Sequence, residues 1–183
     1  MRLVRSALGV LVFVGAAWVA PSVAAPQQLF NKTVILTWTA NATLRDPDGR
    51  ERQSSSNIRY VIYISSLGRL FEHASRTSGG RTQGGDTGLN AAQTRMGEAR
   101  GLAFKGNALV VNRGYAGGRG SGAMQAVATF DGSYSSCTLE VTHGKEGGAT
   151  MKRQGIDGVV REILSISVSG PSCSVQNGNA FAN

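Results

Sequence analysis

The chain has 183 residues, and its 19 Lys and Arg against 11 Asp and Glu give a formal net charge of +8. It is poor in catalytic residue types, with two His and two Cys and no G-x-S-x-G, H-E-x-x-H or P-loop pattern, which argues against those enzyme classes. The sequence points to no cofactor and no metal.

Met1–Arg5 is a short cationic start without an acid, followed by the apolar run 7–20. That run falls short of the roughly 20 apolar residues of a permanent spanning helix. Pro21 ends it, and Ser22 and Ala24 take the small-residue positions of a cleavage site. A Sec-type signal peptide over 1–24 is therefore expected, leaving one domain over 25–183 with no membrane span, periplasmic or secreted. That domain has about 159 residues, enough to bury a core of its own. Loss of Arg2 and Arg5 lowers the net charge to about +6, a balance that suits an anionic envelope surface. The arginines are spread from Arg45 to Arg161, as on an ordinary solvated surface, and a nucleic-acid partner is not expected.

The pattern that follows has a period of two, not 3.6. Over 32–43, Val34, Leu36 and Trp38 alternate with Thr37, Thr39 and Asn41, which predicts a half-buried strand. Asp46-Pro47-Asp48-Gly49 is a turn. After a polar run, 50–57, the segment 59–65 reads as a strand covered on both faces, because Tyr60, Ile62 and Ile64 alternate with Val61 and Tyr63. Ser65-Ser66-Leu67-Gly68 turns it into a returning strand, 69–74, with His73 at its solvent-facing end. The stretch 75–100, rich in Gly, Ser, Thr and Arg, reads as a long mobile loop with room for one short helix at 90–99.

Strands at 102–104 and 108–112 form a second hairpin, and a Gly-rich tip spans 113–122. In 123–130, Met124, Ala126, Ala128 and Phe130 share a face. Asp131-Gly132 signals a tight hairpin into 134–142, where Cys137, Leu139 and Val141 share a face. A loop from His143 to Gly158 leads to a strand, 159–168, with Val160, Leu164 and Ile166 inward. Gly170-Pro171 is expected to turn the chain so that Cys173, on a last short strand, meets Cys137. An even cysteine count in an exported chain reads as this one disulfide, worth roughly 4 kcal/mol in the chain-entropy model.

The fold class is all-β: an antiparallel meander of seven or eight strands, closed as a small lipocalin-like barrel or folded as a sandwich. Thr142–Gly148 offers His143 as a base near neutral pH, Lys145 as an anion contact and Glu146 as orienter, against the plainer reading of a polar turn. Trp38 and Tyr60 head the strand aromatics that would line a ligand cavity or fill a core. The functional expectation is an exported, non-enzymatic domain that binds a small apolar molecule, a lipid or an envelope component. The alternatives are an interaction or inhibitor module using the 75–100 loop, and a hydrolase-type enzyme centred on His143.

The segment TFDGSYSSCTLEVTHGKEGG, with the later GPSCSVQNGNAFAN, resembles small exported proteins of unknown function from soil alphaproteobacteria. The resemblance implies a periplasmic or secreted bacterial protein and brings no activity and no site residue.

Overall fold

Alternating burial along one central strand organises the molecule. A computed structural model describes residues 24–84, 101–114, 122–144, 151–155 and 157–181. Residues 1–23 of the expected leader, the segment 85–100 with the helix expected at 90–99, and both Lys145 and Glu146 lie outside the described residues.

Strand β1 (Lys32–Arg45) pairs antiparallel along its length with β2 (Glu51–Ile64) on one edge and β10 (Val160–Asn177) on the other. With β3 (Leu70–Ser78), β4 (Arg81–Gly84) and β9 (Lys152–Gln154) they form a six-stranded sheet ordered β4-β3-β2-β1-β10-β9, curled into a half-barrel. A second antiparallel sheet, β5-β6-β7-β8, is built from Leu102–Lys105, Ala108–Gly114, Ala123–Phe130 and Cys137–Gly144. A single 3₁₀ turn, Gln27–Leu29, precedes β1. The fold is thus all-β and antiparallel, with ten described strands rather than seven or eight.

The core lies between the sheets. Val34, Leu36, Trp38 and Ala40 of β1 and Tyr60, Ile62 and Ile64 of β2 pack in one cluster with Phe104, Leu109, Val111, Met124, Ala126, Ala128 and Phe130 of the second sheet. Three hairpins share one turn. Gly49, Gly68 and Gly158 each sit at positive φ and donate their N–H to the carbonyl three residues back, at Asp46, Ser65 and Gly155. Only a residue that accepts left-handed backbone closes that turn without strain, and glycine does so freely.

Several strand boundaries differ from those the sequence suggests. The polar run 51–57 belongs to β2, because its backbone pairs residue for residue with β1 from Asn41 to Arg45 and beyond. Ser75–Gly84 is not loop: β3 runs to Ser78, and Gly79-Gly80, both at positive φ, turn it tightly into β4. Asp131-Gly132 does not make a two-residue hairpin. The Asp131 carboxylate instead accepts hydrogen bonds from the Ser135 N–H (2.9 Å) and from the Ser133, Ser135 and Ser136 hydroxyls, organising a longer loop that delays β8 to Cys137. His73 is not at a solvent-facing strand end. It lies within β3, 7% exposed, with Phe181 edge-on to its ring at 6.5 Å.

Strand β10 departs furthest. Gly170-Pro171 does not turn the chain; the two residues bulge opposite Trp38, between the Thr37–Ser172 and Thr39–Ser169 pairs, and the strand continues. A second irregularity at Leu164 shifts the phase, so Arg161 and Ile163 are buried and Leu164 only half so. Bulges bend and twist a strand, and two of them in β10 suit the curl of the sheet.

Cys173, paired with Leu36 on β1, is joined to Cys137 at the start of β8, with 5.5 Å between their Cα atoms. The bond ties the half-barrel to the second sheet. Replacing both cysteines by alanine should cost about 4 kcal/mol, lowering the calorimetric Tm by roughly 8–16 °C for a domain of this size. A drop of under about 3 °C would mean that core packing alone holds the sheets together.

Candidate ligand-binding site

Strand register places two rows of side chains face to face between the sheets. On the half-barrel, Trp38 pairs with Ile58 and Ile58 with Arg76. On the second sheet, Arg113 pairs with Met124 and Met124 with His143. Period-two alternation puts His143 in phase with Cys137, Leu139 and Val141, which pack on the core. The space between the rows is a cavity of about 240 Å³, bounded also by Ala40, Tyr60, Gly114 and Arg153.

Its floor is aromatic. Trp38 and Tyr60 stack with ring centroids 5.4 Å apart and planes 7° from parallel. The Arg113 guanidinium lies over the Tyr60 ring, 5.9 Å from its centroid, and forms an ion pair with Glu72 that bridges the sheets. Burial, and then the Glu72 carboxylate, push the Tyr60 phenol up to about 12 against the opposing pull of Arg113, so it remains protonated near neutral pH. Trp38 is 3% exposed, and its indole N–H meets no acceptor among the described residues. A buried donor left in this way costs on the order of 1–3 kcal/mol unless an acceptor is supplied.

Cationic side chains also line the cavity. Arg76 donates from Nε to the Ser56 hydroxyl (3.1 Å) and has no carboxylate partner among the described residues. Burial, with the charge of Arg153 added, lowers its guanidinium to about 10 despite the pull of Asp157. His143 is lowered for the same two reasons, burial first and Arg153 second. Its ring therefore favours the neutral form, in which one nitrogen donates and the other accepts. The chemistry assembled here is an apolar, aromatic-lined slot bordered by guanidinium groups.

Of the residues singled out from sequence, Trp38, Tyr60 and His143 come together in this one cavity. Lys145 and Glu146 lie outside the described residues. Sequence reasoning missed Arg76, Arg113, Met124 and Arg153. A signal for two of them was present: Arg113 continues the inward phase of Leu109 and Val111, and Arg76 that of Ala74. Comparison with family models, with curated proteins and with solved structures finds no match to this chain.

Because the His143 ring titrates lower in the folded chain than in the unfolded one, its contribution to stability is complete above the ordinary imidazole value. That contribution is lost as pH falls from there towards the lower folded value. An NMR titration should place His143 below the ordinary value, and Arg153→Gln should move it back upward. An unmoved midpoint in that variant would show that Arg153 does not act on the ring.

Proposed function

We propose that this is an exported, non-enzymatic binding domain that holds a small amphiphilic anion between its two sheets. The observation that carries the reading is the buried Trp38–Tyr60 stack against a cavity that Ile58, Met124, Arg76, Arg113 and Arg153 also line. An apolar chain or ring would lie against Trp38, Ile58 and Met124. An anionic end would then meet Arg76 and Arg153. The cavity volume, just under the roughly 300 Å³ at which small-molecule sites begin, suits a short chain or single ring. The signal peptide expected over 1–24 and the disulfide agree with an oxidising compartment, the periplasm or the outside of the cell. The likeness to exported alphaproteobacterial proteins fits the same setting.

In the chain from Ala25 onward Trp38 is the single tryptophan, so tryptophan fluorescence reports on this one residue of the cavity wall. Titration with octanoate should shift that emission saturably. Ala40→Leu, which fills the cavity at a cost of about 1–3 kcal/mol of overpacking, should abolish the response while the protein still melts cooperatively. An emission that octanoate leaves unchanged, or a response that survives Ala40→Leu, would overturn the proposal.

A further inference from the structure

Beside the aromatic cavity, and sharing Arg76 and Arg153 with it, lies a cleft of about 320 Å³ at the open end of the half-barrel. Its walls carry five arginines: Arg52 of β2, Arg76 of β3, Arg81 of β4, Arg153 of β9 and Arg161 of β10. Residues from β4 and β9, the two opposite edges of the six-stranded sheet, thus meet around one space because the sheet curls. One carboxylate, Asp157, joins them in the lining.

The charges divide into a structural set and a remaining set. Arg161, 6% exposed, is held bidentately by Asp157 (2.6 and 2.7 Å) and by Asp46 in the β1–β2 turn. That cluster locks the β9–β10 hairpin to the β1–β2 hairpin and uses both acids. Arg52 approaches the same two carboxylates only at 3.6 and 4.0 Å and is about half exposed. Arg76 has no carboxylate among the described residues, and Arg81 stands exposed on an edge strand. Ser54 and Ser78 add hydroxyls to the lining.

Several guanidinium groups converging from separate strands on a hydroxyl-lined cleft match a doubly charged tetrahedral oxyanion. Its oxygens accept from more than one planar fork, which a single carboxylate does less well. We propose that this cleft is a phosphate subsite, and that the amphiphile of the preceding section carries its phosphate here while its apolar part enters the cavity past Arg76. This inference rests on that binding reading for the placement of the apolar part, and on the cleft alone for the phosphate.

The test compares octyl phosphate, octanoate and inorganic phosphate by calorimetry on the wild type and on an Arg52→Gln/Arg81→Gln variant. Neither residue borders the aromatic cavity, and exposed ion pairs such as those of Arg52 add at most about 1 kcal/mol to stability. Octyl phosphate should bind at least roughly tenfold more tightly than octanoate, and the double variant should erase that advantage while leaving octanoate within about twofold. Should the double variant melt abnormally, Arg81→Gln alone gives the same readout on an edge strand. Equal affinities for the two amphiphiles in the wild type, or an advantage that survives the substitutions, would overturn the subsite. Inorganic phosphate bound by the wild type and lost in the variant, with neither amphiphile bound, would sustain the subsite and remove the cavity reading alone. Sedimentation with vesicles containing phosphatidic acid, lost in the variant, would assign the phosphate to a lipid headgroup. Octyl phosphate binding without sedimentation would assign it to a soluble phosphate ester.

Discussion

The arrangement of this molecule depends on strict alternation along β1, a strand hydrogen-bonded on both edges. Each inward position from Val34 to Leu44 is buried, and its neighbours in β2 and β10 are placed by register. A slip of one residue would turn Trp38 outward and Thr37 inward, exchanging the core face for the solvent face. That cost fixes the pairing of the half-barrel. The inner face is then a list read off the sequence in steps of two, and the list changes character along its length. Val34, Leu36, Ile62 and Ile64 fill one end, while Arg52, Ser54, Ser56 and Arg76 occupy the other.

This gradient explains why the second sheet covers only part of the concave face with apolar side chains. Where Leu109, Ala126 and Ala128 meet the half-barrel, the contact is apolar and the buried surface contributes to stability. Where Arg113 and His143 meet it, charge and size prevent close packing. The sheets are held there by the Glu72–Arg113 ion pair and at the other end by the disulfide. The cavity between them follows from side-chain chemistry at the boundary of the core, with Trp38 and Tyr60 on the apolar side and the arginines on the polar side. The Arg161–Asp46–Asp157 cluster then keeps the two hairpins in place beside the arginine cleft.

Much of the fold was legible from residue order. The alternation of Val34, Leu36 and Trp38, the turn glycines at 49 and 68, and the even cysteine count lead to antiparallel strands and to Cys137–Cys173. The polar strands were not legible by the same rule. Residues 51–57 and 75–84 bury few large side chains and are strands because neighbouring backbones pair with them, which no local propensity records. Gly79-Gly80 did carry a hairpin signal, masked by the glycine-rich composition around it. In β10 the two bulges reset the phase, so counting by twos from Ile166 back to Leu164 points to the wrong face and hides the buried Arg161. For the site, Trp38, Tyr60 and His143 were recognisable as candidates one by one. Their convergence needed the register of six strands in two sheets, and Arg153 enters it only through the curl that brings the sheet edges near each other.

The Trp38–Tyr60 stack lines the cavity proposed to hold the ligand. The most direct measurement is the Trp38 indole N–H resonance in a nitrogen–proton correlation spectrum of the chain from Ala25, followed during titration with octyl phosphate. A ligand seated in the cavity predicts a saturable movement of that resonance, as its apolar part comes to lie beside the indole ring. A resonance that stays in place at saturating octyl phosphate would contradict binding in the cavity.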